Sequence, residues 1–307
     1  MSGTVIVLGA NGRFGRAAVE AFSKNGWKVR AFARSWKIDA SRHSGTGVQQ
    51  ITGDAFDANE VAEASMGCDV IINALNPPYP KWKKDLPRLT NSVISAAKKS
   101  GATVMLPGNV YNYGAGMPLN LTESTEHKPT SHKGRLRLEM EETYRRSGIQ
   151  TIVLRAGDYF EQQKTGDWFG SHITGNLGKG HVMYPAALDQ VHAWAYLPDF
   201  AKAMAALADK RQYFKPFEEV GFPGYGLTGQ QLVDVMEEEL GRKLKVKNMP
   251  WNFVRLLGLV MPQMREVMEM AYLWRVPHRI DGAKLATILP DFKATPVKAA
   301  IAQSIRS

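Results

Sequence analysis

Residues Gly9-Ala-Asn-Gly12-Arg-Phe-Gly15 stand between the apolar run Thr4–Leu8 and a segment of helical spacing that follows from Arg16. Glycines at such intervals let a backbone turn tightly and approach a pyrophosphate, whose charge the N-terminus of the next helix then meets. The strand–loop–helix setting, reached within roughly 30 residues of the start, lifts the triplet above a chance match. The residues expected to hold a dinucleotide here are Gly9, Asn11, Gly12, Arg13, Phe14 and Gly15. The end of the following strand discriminates between cofactors, because an acid there bonds the ribose 2′-hydroxyl whereas an arginine accommodates a 2′-phosphate. The sequence reads Val29-Arg-Ala-Phe-Ala-Arg34-Ser35, with no Asp or Glu. NADP(H) is therefore expected over NAD(H), with Arg34 and Ser35 at the phosphate and Arg13 reaching it from the loop. Two arginines on one dianion give charge-assisted, bidentate contacts. Asp54 reads as an adenine contact, and Ala74, Leu75 and Asn76 as lining the nicotinamide side.

Such a loop needs a scaffold, and the chain supplies one by alternation. Strands are predicted at Thr4–Leu8, Lys28–Ala33, Val48–Gly53, Asp69–Leu75, Thr103–Leu106 and Gln150–Arg155. Helices are predicted after Gly15, over Asp57–Met66, Leu86–Lys99 and Ser131–Ser147. Short continuous apolar runs are the mark of strands buried on both faces. The fold class predicted is α/β: a Rossmann doubly wound parallel sheet with a smaller C-terminal substrate-side domain. Residues 1–160 form the nucleotide-binding domain, completed by about 191–215, where Ala193–Ala208 reads as a strand and helix returning to it. Residues 161–307 form the lid and the small domain. There Thr228 and Gln231 predict a capping box, and Thr295 before Pro296 the start of a terminal helix.

With these motifs in order, the chain resembles the extended and atypical short-chain dehydrogenase/reductases, including epimerase/dehydratase-like proteins. The resemblance rests on the glycine loop, on Gly53-Asp54 and on Asp69-Val-Ile-Ile-Asn-Ala-Leu75. It continues through Thr90-Asn91, Val110-Tyr111, Leu154-Arg155-Ala-Gly157-Asp158 and Ala195-Tyr-Leu-Pro-Asp199-Phe-Ala201. In that superfamily a Tyr-x-x-x-Lys pair moves protons and holds the nicotinamide ribose. A Ser or Thr on the fifth strand polarises the substrate oxygen. Here Ser131 stands where the tyrosine belongs and Arg135 where the lysine belongs, and the fifth strand ends Leu106-Pro-Gly-Asn109 without the hydroxyl residue. Arginine cannot exchange a proton at neutral pH. The replacement proton donors are Lys133, which the resemblance to atypical relatives puts first and also near the cofactor, then Tyr111 and Tyr113, and Tyr159 beyond them. A lysine can be tuned for that work by burial or neighbouring cations.

Residues 158–196 gather Tyr159, Phe160, Trp168, Phe169, His172, Tyr184, His192, Trp194 and Tyr196 in a glycine-rich stretch. They point to a pocket for a flat or apolar small molecule, with His172 and His192 available for acid–base work. The apolar, methionine-rich stretch Trp251–Met270 reads as core or interface packing. None of the histidines has a metal-ligand spacing, and no metal is expected. The formal charge of +10 is spread along the chain without a zinc-finger or RNA-binding signature. No nucleic-acid partner is expected. Nor is a membrane partner, since no apolar run is long enough to span a bilayer. One cysteine and no apparent leader make cytoplasm the expected location. A homodimer is expected only because two-fold dimers are common. Two functions follow: an NADP(H)-dependent oxidoreductase or epimerase/dehydratase with a non-standard site, or a non-catalytic NADP(H)-binding redox sensor.

Overall fold

A computed structural model of the chain describes residues 3–36, 47–162 and 167–306. The first half alternates as its pattern requires. β1 (Thr4–Leu8) leads through the glycine loop to α1 (Arg13–Lys24), then β2 (Lys28–Ala33), β3 (Val48–Thr52), α2 (Ala58–Ser65), β4 (Val70–Asn73), α3 (Trp82–Ser100) and β5 (Thr103–Gly108). A short β6 (Asn120–Leu121) precedes α4 (His132–Ser147) and β7 (Thr151–Arg155). The next elements are β8 (Asp158–Phe160), β9 (His181–Tyr184), β10 (Val191–Tyr196), α5 (Leu197–Asp209) and β11 (Phe217–Gly221).

Seven parallel strands form the main sheet in the order β3-β2-β1-β4-β5-β7-β11. Alternation across the pleat sorts β1 into two cores. Val5 and Val7 face α1 and α5, meeting Phe22, Phe200 and Met204; Ile6 and Leu8 face α2 and α3, meeting Val61, Leu86 and Val93. Burying each large side chain contributes about 1.5–3 kcal/mol, which is why these strands read as unbroken apolar runs. Helix α3 starts four residues earlier than its pattern implies and accommodates Pro87 in its second turn. Burial of Trp82 and Leu86, with the Trp82 indole donating to the Pro77 carbonyl at 2.8 Å, offsets the lost backbone donor.

The remaining elements are β12 (Tyr225–Thr228), α6 (Gly229–Leu240), β13 (Lys245–Asn248), α7 (Trp251–Leu257), α8 (Pro262–Glu269), β14 (Arg279–Ile280), α9 (Ala283–Ile288) and α10 (Val297–Ile305). The strand read near Ala193 is β10, and it joins β12 and β8 in a separate three-stranded sheet. Only α5 returns to the main layer, packing Phe200 against Phe14 of α1 at 5.5 Å between ring centroids. The seventh main-sheet place is taken by β11, beyond the expected 215. Local pattern identifies a strand, but its sheet is chosen by distant partners. The capping box forms: Thr228 Oγ1 accepts from Gln231 N, and Gln231 Oε1 from Thr228 N. Thr295 does not cap its own helix. Its amide and hydroxyl both donate to buried Asp199 on α5, at 2.5 and 3.0 Å, tying α10 to the main domain.

Candidate active site

The glycine loop is built for backbone approach. Gly9 has φ +81°, and a Cβ there would stand 2.9 Å from the Ala74 carbonyl oxygen and 3.3 Å from the Leu75 side chain. A Cβ on Gly15 would run into the Gly9 carbonyl oxygen. The amides of Gly9 and Ala10 both donate to the Phe32 carbonyl at 3.1 Å, pinning the loop to the end of β2. Gly12 caps α1 with no side-chain acceptor, leaving the helix N-terminus to an external anion. Gly9, Gly12, Gly15, Ala74 and Leu75 thus converge, and a cradle of this kind fits a dinucleotide. Asn76 follows them on an exposed turn.

Around that cradle the arginines part company. Asn11 Nδ2 donates to the Ser35 carbonyl, holding the β2 end against the loop, and Arg34 and Ser35 are exposed there. Arg13, expected at the same phosphate, instead reaches the substrate-side segment. Its Nε donates to Glu161 Oε1 at 2.6 Å, and its guanidinium meets Asp167 at 3.1 Å. Two carboxylates in reach outcompete a solvent position, so Arg13 and Arg34 do not converge in this structure. Asp54 is exposed after β3, where its side chain accepts from Phe56 N at 3.1 Å and shapes the turn into α2.

The expected proton donors fare differently. Tyr111 follows β5 and sets its hydroxyl 3.3 Å from that of Tyr79. Burial pushes both hydroxyls above the ordinary tyrosine range. Lys133 is buried on the first turn of α4, 5.2 Å from the centroid of the Tyr79 ring. Its ammonium is gripped by two α8 carboxylates, Glu266 and Glu269, the latter at 2.7 Å. Glu269 Oε1 also accepts from the Lys133 amide at 2.8 Å. Burial alone would raise the Glu269 carboxyl, but these lysine contacts hold it below the usual range. Ser131 is spent as the N-cap of α4, accepting from Gly134 N at 3.0 Å, and Arg135 points to solvent.

Tyr113 is removed from the site altogether. Its hydroxyl donates to Glu219 at 3.1 Å, inside a buried network centred on Arg155. There Arg155 bridges Glu141 at 2.8 Å and Glu219 at 2.6 Å and donates to the Asn109 carbonyl at 2.6 Å. Burial opposes the Glu219 charge, yet Arg155 holds that carboxyl well below its usual range. Glu141 and Glu219 lie close to His127 in an arrangement that could ligate a cation. Arg155 already satisfies both carboxylates, and a metal would have to displace it.

Two residues outside the expected set, Arg137 and Asp158, join the expected Tyr159 and His192. Arg137 lies one turn beyond Lys133, buried, donating to the Pro107 carbonyl at 2.5 Å. Burial lowers its pKa, and its Nε has no partner among the described residues. The i, i+4 spacing from Lys133 was the signal available for it. Asp158, known from sequence only as part of a motif, accepts from His192 Nε2 at 2.8 Å. That imidazole is buried and stacked on Trp274 at 4.1 Å and 7°. Tyr159 is half-buried beside Phe200, with its hydroxyl buried and unpartnered among the described residues. His172 is exposed and packs on Trp168. The aromatic segment does make a recess: an open groove of about 450 Å³ lined by Tyr184, Pro185, Met249, Trp251, Trp274 and Arg275. Lys133 and Tyr111 are not among its walls.

The NmrA-like family profile matches residues 1–288. No curated protein sequence matches significantly. Among solved structures, a putative epimerase from Burkholderia cenocepacia superposes with a TM-score of 0.77 at 14% identity, over 99% of this chain and 97% of that one. MoeE5 in complex with UDP-glucose and NAD gives 0.76 at 18%, over 99% and 98%. The UDP-Glc/GlcNAc 4-epimerase from Campylobacter jejuni gives 0.74 at 14%, over 99% and 98%. At these identities the likeness is one of fold. Family profile, parallel sheet and glycine cradle agree: the chain belongs to the NmrA-like family.

Proposed function

We propose that this chain binds NADP(H) and uses it in oxidoreductase or epimerase/dehydratase chemistry on a small organic substrate, through a site without the Tyr-x-x-x-Lys pair. The observation that carries the reading is the cradle itself: Gly9 and Gly15 packed against Ala74 and Gly9 carbonyls, under an uncapped helix N-terminus. Preference for the 2′-phosphate rests on Arg34 at an acid-free strand end. When bound, the nicotinamide supplies or accepts hydride. The chain's own residues would do the rest. Tyr111 and Tyr79 present a hydroxyl pair able to hydrogen-bond a substrate oxygen, and Lys133 supplies the cation beside them. The density of aromatic side chains between Tyr159 and Tyr196 supports a substrate with a flat or apolar portion. Cytoplasm remains the proposed compartment.

A second reading has its own support. The Lys133 ammonium is already engaged by Glu266 and Glu269 rather than turned toward a substrate. A non-catalytic NADP(H) sensor would need nothing more from it than that contact. Bound NADPH, monitored by reduced-nicotinamide absorbance across a panel of aldehydes and ketones, separates the two. Oxidation that is lost in Lys133→Met and Tyr111→Phe, with NADPH still bound, supports the enzyme. No oxidation, together with protease protection of the α8 region by NADPH, supports the sensor.

A further inference from the structure

The α7–α8 hairpin is unlike the rest of the surface. Eight large apolar side chains are exposed among the described residues, and five of them, Phe253, Leu256, Leu259, Val260 and Met261, fall in this one hairpin. Leu259 and Val260, in the turn between the helices, are 76% and 78% exposed. Phe253 and Leu256, one turn apart on α7, extend the same apolar surface. A cluster of this kind marks a contact surface rather than scattered exposure.

Its charge says what the surface meets. From Arg242 through Arg265 the chain carries six cations (Arg242, Lys243, Lys245, Lys247, Arg255 and Arg265) and no Asp or Glu. Lys243 pairs with Glu237, and Arg242 donates to the Leu177 carbonyl. Lys245, Lys247, Arg255 and Arg265 are exposed and form no ion pair among the described residues. We propose that this hairpin docks the protein on an anionic lipid bilayer, with Leu259, Val260 and Met261 below the headgroups and Arg255 and Arg265, each about one helical turn from the tip, at phosphate level. Apolar insertion flanked by lysine and arginine is how interfacial segments bind. A second copy of the chain fits worse, because a two-fold contact would set these unpaired cations against each other.

The expectation of no membrane partner rested on the lack of a spanning run, and no helix among the described residues is long and apolar enough to cross. Lying on a surface requires no span. The inference is independent of the nucleotide chemistry above, although α8 also carries Glu266 and Glu269 onto Lys133.

Cosedimentation of the full chain with vesicles tests it. The protein is expected to pellet with phosphatidylcholine vesicles containing phosphatidylglycerol, to stay in solution with phosphatidylcholine alone, and to be released by added salt. Leu259→Glu combined with Val260→Glu is expected to weaken partitioning at least about tenfold, and Arg255→Glu with Arg265→Glu by a similar factor. These positions are exposed, so an unchanged circular dichroism spectrum and melting point establish that the variants are folded. Wild type that ignores anionic vesicles, or tip variants that bind as well as wild type, overturns the proposal. So does a dimer in sedimentation velocity that dissociates in the tip variant, which assigns the surface to a second copy.

Discussion

At the scale of single residues, partners decide roles more than residue type does. Arg13 and Arg34 read alike in sequence, yet Glu161 and Asp167 draw Arg13 to the substrate side. Tyr111 and Tyr113 are two residues apart, yet one faces Tyr79 and the other donates into the Arg155 network. That network makes a strong stability prediction. Arg155→Met leaves buried Glu141 and largely buried Glu219 uncompensated and is expected to cost about 3–5 kcal/mol, read from urea unfolding. The residue types at the candidate site were legible in the sequence, whereas Lys133's carboxylates lie 133 and 136 positions downstream, beyond any local motif. Asp158 and His192 were visible separately, and only the pairing of β8 with β10 joins them.

Elements were easier to read where their signals are local. The continuous apolar runs of β1, β4 and β7 and the glycine triplet each report their own conformation. The Thr228–Gln231 box did so too, and Thr228→Ala is expected to cost about 1 kcal/mol of stability with no effect on nucleotide binding. Gly15→Ala is a sharper test of the loop. Its Cβ would meet the Gly9 carbonyl, a backbone atom with nowhere to go. NADPH binding is expected to fall at least about tenfold by titration, whereas an ordinary helix-start glycine would tolerate alanine. The destination of β10 was not legible, because the same alternating strand suits either sheet.

The whole molecule joins two unlike halves, a layered parallel domain and an aromatic small unit, and its acid sensitivity belongs to the second. Burial lowers the His278 pKa to about 3; its Nδ1–H donates to the Val276 carbonyl, and its Nε2 is buried without a partner among the described residues. The unfolded chain, with a histidine pKa near the ordinary ~6.5, binds this proton more readily than the folded one. Stability from this group is therefore complete above that value and lost as pH falls toward about 3, by roughly 1.4 kcal/mol per unit. Melting temperatures measured from neutral pH downward are expected to fall less steeply in His278→Gln than in wild type. An equal slope would place the acid sensitivity elsewhere.

The central claim, that the glycine cradle and Arg34 make an NADP(H) site, is tested most directly by titrating the protein with NADPH and with NADH, followed by energy transfer from tryptophan. Saturable NADPH binding, tighter than that of NADH and weakened about tenfold or more (roughly 1.4 kcal/mol) by Arg34→Asp, is the result expected. Failure of both nucleotides to bind, or NADH binding the more tightly, would contradict it.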